Sequence, residues 1–137
     1  MKPFFITIFL FIFSLISYGQ DKKDVIEKGI QVKRNYSLNI ENGDKEPSLE
    51  KEEFYNFRGD LVEVKDYTDD GKTLSNWIKY KFDSQGLLIE EQELNPKGDQ
   101  KDRFEYKYEN GLKTEKLFYD NKNRLTKKKI FKYELRK

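Results

Sequence analysis

Three residue types are missing from the chain, and each absence narrows the possible structures and functions. Cysteine does not occur, so neither a disulfide nor a lipid anchor on a cysteine is expected. Histidine does not occur either, which removes the commonest metal ligand and the usual general base at neutral pH. Alanine, the best helix former, is also absent, and this argues against a helical protein. Stability is therefore expected to come from sheet pairing and aromatic contacts.

Long apolar runs are scarce, and the one that occurs lies near the N-terminus. It covers residues 4–16, follows Lys2, and precedes the small residues Ser17 and Gly19, whose positions suit a signal peptidase. Residues 1–19 are therefore predicted to be a cleaved signal peptide. The alternative is an uncleaved membrane anchor, but a spanning helix needs about 20 apolar residues. We expect an exported protein, periplasmic or extracellular, with no stable membrane insertion after cleavage.

A dominant sign of charge is missing as well. Charged residues make up 38% of the chain and hydrophobic residues 36%, yet the formal net charge is only +2. This balance gives no reason to expect a nucleic acid or an anionic membrane as partner. Many charges beside few aliphatic residues indicate a thin, well-solvated structure of one domain rather than a deep two-layer core.

What the chain does contain is an internal repeat of aromatic pairs. In each pair two aromatic residues are separated by one other residue, and consecutive pairs begin 25, 26 and 25 residues apart. The pairs are Tyr55/Phe57, Tyr80/Phe82, Tyr106/Tyr108 and Phe131/Tyr133. Turn residues 12 positions apart recur in phase with them: Gly59 and Gly71, Gly86 and Gly98, Gly111 and Asn123. One repeat is therefore predicted to contain two strands and two turns.

These turns predict an all-β fold, an antiparallel meander of about eight strands in one open sheet behind a short N-terminal arm. Apolar and polar residues alternate over residues 30–40, which predicts the first strand there. The other strands are expected near residues 52–58, 60–68, 73–82, 87–94, 102–109, 112–119 and 124–134. Residues 20–52 are then the arm and first strand, and residues 53–137 the β-hairpin repeat array, which forms one domain with residues 30–52.

Two segments ahead of the array are predicted from local signals. Asp24 and Glu27 have the spacing of a capping box, and Gly29 suits the end of a helical turn, so one helical turn or an extended arm is expected. Residues 44–51 contain Pro47 and charges of both signs, which predicts a loop.

Alternation along the predicted strands places charges and aromatic rings on opposite faces of the sheet. The residues in question are Lys81, Lys107 and Lys132 within the aromatic pairs, and Glu63, Glu90 and Glu115 on the neighbouring strands. We expect a cross-strand charge ladder on the solvated face, which also protects the sheet against aggregation.

The aromatic face has two interpretations. Its rings are needed as the core of a sheet with few aliphatic residues, or they form a binding surface for sugar rings or a partner. Trp77 is out of phase with the pair in its own strand and is the best candidate for an exposed contact. The candidate ligand-binding residues are Trp77, Tyr80, Tyr106 and Tyr108. Exposure of the face in the folded protein decides between the two interpretations.

Residues 80–88 and 119–126 resemble the YD repeats of the Rhs type. That pattern is an aromatic residue, Asp, two variable residues, Gly, one further residue and Leu, and the resemblance extends over residues 53–134. It implies a β-hairpin in which Asp opens the turn and the residue three positions later takes a positive φ. These turn positions are Asp83 with Gly86, and Asp120 with Asn123.

The resemblance implies an extended β structure used as a shell, spacer or ligand surface in exported proteins, sometimes described as carbohydrate-binding, without catalysis. Large members of that family enclose a toxin, for which four repeats are too few. A weaker likeness exists to the MORN-like repeats of the antitoxin type, through residues 77–80 and 108–111. The predicted signal peptide argues against that intracellular role.

No catalytic constellation accompanies the repeat. Adjacent carboxylates such as Glu90 and Glu91 point to opposite faces of a strand, and Ser75 and Ser84 have no histidine partner. Residues 69–71 lack the spacing of an EF-hand, so a charged turn is expected there, without a metal or other cofactor.

The sequence therefore predicts a non-enzymatic binding or scaffold component of the cell envelope, whose protein or glycan partner is unknown. The alternative is a carbohydrate-binding module that uses the aromatic residues of the sheet. Self-association through the unpaired edges of the sheet is a further possibility.

Overall fold

The computed structural model describes residues 22–137 and confirms the all-β fold. Eight strands form one antiparallel sheet, and their spatial order equals their order in the sequence. The strands are β1 (Val32–Ser37), β2 (Ser48–Tyr55), β3 (Leu61–Tyr67), β4 (Leu74–Phe82), β5 (Leu88–Leu94), β6 (Gln100–Glu109), β7 (Leu112–Tyr119) and β8 (Leu125–Ile130). A helix, α1, covers residues 22–28 ahead of β1. The result is an open meander of consecutive hairpins.

Across residues 22–137 the sheet is a single layer. Extensive contacts between strands join sequence neighbours only. Few apolar side chains in this part of the chain are buried, namely Val25, Val64, Leu94, Tyr106 and Leu117. Because no second layer covers the strands, most side chains on both faces remain half-exposed, as the composition leads one to expect.

The register of the strands assigns side chains to two faces, because directly paired residues share a face. Tyr80 pairs with Glu91 on one face, and Lys81 pairs with Glu90 on the other. The first is called the aromatic face, and its rings are Tyr55, Tyr80, Phe82, Phe104, Tyr106, Tyr108 and Phe118. The second is called the charged face, and its charged residues include Glu52, Glu63, Lys65, Lys79, Lys81, Glu90, Arg103, Glu105, Lys107 and Glu115.

Four of the connections are the same five-residue turn, at residues 56–60, 83–87, 95–99 and 120–124. The turn begins with Asn or Asp, whose Oδ1 accepts the backbone N–H groups of the third and fifth residues. The fourth residue has a positive φ, and these residues are Gly59, Gly86, Gly98 and Asn123. A side chain that satisfies two backbone donors specifies the chain reversal locally.

Two further turns use related devices. Between β3 and β4, Gly71 has a φ of 66°, and Asp70 Oδ1 accepts the N–H groups of Lys72 and Thr73, each at 2.8 Å. Between β6 and β7, Asn110 and Gly111 have φ values of 50° and 77°. Two consecutive positive φ values are typical of a type I′ hairpin turn.

Every hairpin also carries a β-bulge beside its turn. The extra residue is always on the strand that follows the turn: Glu50, Val62, Ser75, Ile89, Lys101, Thr114 and Thr126. Bulges bend a strand and increase its twist. Each strand from β2 to β8 therefore starts with the same local irregularity.

Helix α1 ends in a Schellman motif and packs on the first turn of the array. The Ile30 N–H donates to the Val25 carbonyl oxygen at 2.9 Å, and the Gly29 N–H donates to the Ile26 carbonyl oxygen at 3.3 Å. A Cβ atom added to Gly59 would lie 2.8 Å from Ile26 Cγ1. Close packing of the helix on this turn thus needs a glycine at position 59.

Several details of the predicted secondary structure are wrong. The first strand, predicted over residues 30–40, is only Val32–Ser37, and residues 56–58, predicted to end a strand, belong to a turn. Residues 48–51 are predicted as loop, but they begin β2 because they pair with β1. The last strand is predicted to reach residue 134, but β8 ends at Ile130. Asp24 does not cap α1 from outside, because it lies within the helix, where its Oδ1 is 3.7 Å from Lys28 Nζ.

The predicted signal peptide, residues 1–19, lies outside the described residues. From residue 22 onward, no helix combines the length and the apolar character needed to cross a bilayer.

Replacing Gly86 with alanine is expected to lower the free energy of unfolding by about 1 kcal/mol, because φ is 83° and an added Cβ has no neighbour within 4 Å. Gly59→Ala should cost more, because its Cβ also meets Ile26. Urea unfolding followed by circular dichroism measures both effects. Adding Ile26→Ala, a change at a half-exposed helix position, should bring the cost of Gly59→Ala towards that of Gly86→Ala. Equal costs with Ile26 present would contradict this packing of α1.

Candidate functional site

The aromatic face carries most of the rings of the sheet and is the candidate functional site. Its centre is Tyr106, which is 8% exposed and lies between Phe104 and Tyr108 on β6. Phe104 packs against Phe118 of β7 edge to face, with ring centroids 5.2 Å apart and an interplanar angle of 85°. The rings other than Tyr106 are half-buried. The face is thus a packed layer of rings that remains partly accessible.

Hydrogen bonds fix two tyrosines of this face. The Tyr106 hydroxyl donates to Glu91 Oε2 at 3.1 Å, and burial together with the Glu91 charge raises the pKa of Tyr106 well above its usual value. The Tyr108 hydroxyl donates to the Leu88 carbonyl oxygen at 2.7 Å, and burial raises its pKa as well. Both phenols therefore stay neutral at physiological pH and present fixed rings.

A cavity of 370 Å³ opens at the end of the aromatic face next to α1. Its ring walls are Tyr55 of β2 and Tyr80 and Phe82 of β4. Its charged lining residues are Lys22, Glu53 and Asp60. A concave site with aromatic walls and a few polar groups is typical of small-ligand binding.

Asp60 is the buried polar anchor at the rim of this cavity, with 6% of its surface exposed. Lys22 Nζ donates to Asp60 Oδ1 at 2.6 Å, and Asn56 Nδ2 donates to Oδ2 at 3.2 Å. Burial raises the pKa of Asp60, but the hydrogen bonds from Lys22 and Asn56 and the charges of Lys22 and Arg58 outweigh burial, so the pKa is lowered overall. The carboxylate is ionised and fully paired, which suits holding α1 in place rather than proton transfer.

Trp77 lies on the charged face, away from the other three candidate ligand-binding residues. Its Nε1–H donates to Glu63 Oε1 at 2.6 Å, and Lys65 Nζ stands 4.7 Å from the ring centroid. The ring is half-buried, and an added Cβ on Gly98 would lie 3.5 Å from its edge. Tyr80, Tyr106 and Tyr108 share the aromatic face, so the four residues do not form one site.

The charged face is an ion-pair network that extends over several strands. Lys81 and Lys107 reach Glu90 and Glu115 at 3.4 and 3.3 Å, as the predicted ladder requires. Arg103 bridges Glu90 and Glu105 and also stacks 4.0 Å from the centroid of Tyr119. Its hydrogen bond to Glu105 is the main reason that the pKa of Glu105 is lowered. Each of these carboxylates is held in an ion pair, and within residues 22–137 no three acidic side chains converge as a metal site.

Lysines of β7 and β8 lie over the aromatic face at its other end. Lys116 Nζ stands 4.5, 5.2 and 5.0 Å from the ring centroids of Phe104, Tyr106 and Phe118. Lys113 approaches Tyr106, and Lys127 and Lys129 approach Phe118. These cation–π contacts, with the apolar stems of the lysines, supply the cover that a second layer would otherwise give.

Sequence reasoning located the turns but missed parts of the face. Asp83 and Asp120 open turns through their side chains, and so do Asn56 and Asn95, which were not singled out. The signal was present, because each Asn precedes a glycine by three positions, as Asp83 does. Phe104 and Phe118 were also missed, because they lie outside the repeated aromatic pairs. Alternation along β6 and β7, together with the pairing of these strands, would have assigned both rings to the aromatic face.

Substituting Asp60 by asparagine should lower the unfolding free energy by about 2 kcal/mol at neutral pH, because a buried charge-assisted bond to Lys22 is lost. Because the folded-state pKa of Asp60 is lowered, its stabilisation is complete above the usual carboxyl pKa and is lost as pH falls. Unfolding measured from about pH 6 down to about pH 2 should therefore show a weaker pH dependence in Asp60→Asn. Asp69→Asn, at an exposed turn position, is the control and should leave the slope of unfolding free energy against pH unchanged. An unchanged slope in Asp60→Asn would contradict this assignment.

Comparison with known proteins assigns no family to this geometry. No protein-family model matches the chain, and no curated protein matches it either. The likeness to YD repeats thus rests on the hairpin turns alone, and function has to be argued from the two faces and edges of the sheet.

Proposed function

We propose that the protein is an exported, non-enzymatic β-hairpin-repeat protein of the cell envelope, periplasmic or extracellular, that binds a partner through its aromatic face. The observation that best supports this proposal is the single-layer architecture, because within residues 22–137 no strand packs on the rings of this face. Contiguous rings on a monomer's surface usually mark an interaction site. The export part of the proposal rests on the predicted signal peptide.

Rigidity of the face favours binding over a merely passive spacer. Tyr106 and Tyr108 are tied to β5 by their hydroxyl groups, and Phe104 is locked against Phe118. Aromatic rings held in one orientation lose little conformational entropy when a partner docks. A pre-formed ring surface is therefore suited to a protein surface or to the apolar face of a sugar.

The non-enzymatic part of the proposal is supported by the state of the carboxylates. Glu52 accepts hydrogen bonds from Tyr67 and Arg34, and Glu105 accepts them from Arg103 and Tyr119, so both have lowered pKa values. A general acid needs a raised carboxyl pKa. The acidic groups of the charged face are instead built into cross-strand bonds.

A carbohydrate ligand is the second candidate, and the cavity beside α1 favours it. Tyr80 and Phe82 offer ring faces, and Glu53 offers a carboxylate beside them within the same 370 Å³ space. A sugar presents an apolar face and a rim of hydroxyl groups, which is the chemistry that this combination recognises.

Site-specific photo-crosslinking tests the use of the aromatic face in the native envelope. A photoreactive residue at position 80 should yield a crosslinked partner, because this side chain lies on the aromatic face. The same residue at position 79 is the matched control, since the adjacent side chain lies on the charged face. Adducts of equal yield from both positions, or from position 79 alone, would contradict the proposal.

Calorimetric titration with soluble neutral oligosaccharides tests the carbohydrate candidate. If the cavity binds a sugar, Tyr80→Ala should weaken binding by about tenfold or more, because a stacking ring is lost. Trp77→Ala, on the opposite face, should leave the affinity unchanged. Loss of binding in Trp77→Ala with retention in Tyr80→Ala would move the sugar site to the charged face. No binding by the unaltered protein would leave a protein partner as the remaining occupant.

A further inference from the structure

The sheet has an open edge at β8, because no strand pairs with its outer side within residues 22–137. The Phe131 N–H donates to the Thr114 carbonyl oxygen of β7 at 2.9 Å. Since N–H directions alternate along a strand, the N–H groups of Lys128 and Ile130 point away from β7. The edge therefore offers backbone hydrogen-bond groups in the spacing that a further strand requires.

Among the described residues, two lysines of β8 and one beyond it lack the acidic partner that Lys81 and Lys107 have within the sheet. Within the sheet Lys81 meets Glu90 and Lys107 meets Glu115 on the next strand. On β8, Lys128 reaches Glu115 of β7 at 3.5 Å. In contrast, Lys127 and Lys129, and Lys132 beyond the strand, have no ion pair within 4.0 Å among residues 22–137.

Lys129 also pairs directly with Lys116 of β7. Like charges directly opposite each other destabilise a sheet. Where two acidic residues are opposite each other, at Glu90 and Glu105, Arg103 bridges them. The Lys116–Lys129 pair has no such bridge in the described chain, so a nearby anion would relieve the repulsion.

The internal repeat indicates what should lie beside β8. The Tyr108 hydroxyl donates to the Leu88 carbonyl oxygen, and 25 residues later the Tyr133 hydroxyl donates to the Lys113 carbonyl oxygen, both at 2.7 Å. Residues 131–133 thus correspond to residues 106–108 of β6, which is followed by β7 with Glu115 opposite Lys107. One further repeat relates them to residues 80–82 of β4, which is followed by the acidic strand β5. Residues 131–137 form no strand, and Phe131, Tyr133 and Leu135 are exposed.

We propose that the β8 edge accepts an acidic, extended peptide segment of a partner protein as a ninth antiparallel strand. A shift of 51 residues superimposes the repeat of β4 on that of β8, so Ile78 corresponds to Lys129 and Lys81 to Lys132. In β5 the residues opposite those two positions are Glu93 and Glu90. Acidic residues spaced three apart in the incoming strand would therefore meet Lys129 and Lys132. The edge adjoins the aromatic face, since Lys129 approaches Phe118, but the proposal uses the backbone groups of β8 and stands independently of the function proposed above.

A second copy of the chain fits this edge less well than an acidic segment does. The other open edge, β1, carries Lys33 and Arg34, and these are already bound by Glu53 and Glu52 of β2. Pairing β8 with β1 or with another β8 would bring basic strands together, which costs free energy. The same lysines that hinder self-association would thus select an acidic partner strand.

The probe is a synthetic peptide that copies residues 87–95, the acidic strand that pairs with β4. Added to the purified protein, it should slow hydrogen exchange at the outward N–H groups of Lys128 and Ile130. A peptide with its glutamates replaced by lysine is the control and should have no effect. Binding of polyglutamate or an anionic polysaccharide without protection of those two N–H groups would show a general polyanion surface and overturn strand addition.

Charge exchange tests the register. The double variant Lys129→Glu with Lys132→Glu alters exposed side chains only, and it should bind the acidic peptide about tenfold more weakly. It should also gain affinity for the lysine-substituted peptide. Equal binding of the acidic peptide by both proteins would overturn the proposed register. A stable dimer of the unaltered protein that forms without peptide through its β8 edge would overturn the preference for an acidic partner strand.

Discussion

Each strand of this protein is held by the strands directly beside it, and the rest of the structure depends on that constraint. With no second layer packed on the described sheet, free energy that a deep core would supply has to come from cross-strand contacts. This explains why ion pairs, phenol hydrogen bonds and cation–π contacts are distributed across both faces. It also explains why Leu94 and Leu117 are buried on the charged face, where Leu94 lies opposite Trp77 and Leu117 lies opposite Glu105.

The architecture could be predicted because its determinants are local. A glycine or asparagine with positive φ three residues after Asn or Asp fixes a turn within five residues. The spacing of these turn residues along the sequence therefore predicts the meander. Strand ends were less predictable, since they depend on neighbours. Residues 48–51 have the composition of a loop but become a strand by pairing with β1, whereas residues 131–134 have the composition of a strand but no neighbour on their outer side.

The candidate site was only half predictable for a similar reason. Parity along a strand correctly separates Trp77 from Tyr80, because alternate residues point to opposite faces. Burial is a different matter: Tyr106 is buried while Tyr108 is half-buried, and this difference arises from the lysines of β7 that lie over Tyr106. Such contacts join residues on different strands and leave no periodic signal in the sequence.

A sheet in which every strand pairs only with its sequence neighbours behaves as a linear array of coupled units. Its contacts are short in sequence, which favours rapid folding, and unfolding can begin by fraying at either open edge while the middle hairpins persist. Because faces and bulges recur with the repeat, a whole pair of strands could be inserted or deleted while the pairing within the remaining hairpins is kept. The length of this protein is therefore adjustable in steps of one repeat, and its two surfaces would lengthen or shorten together.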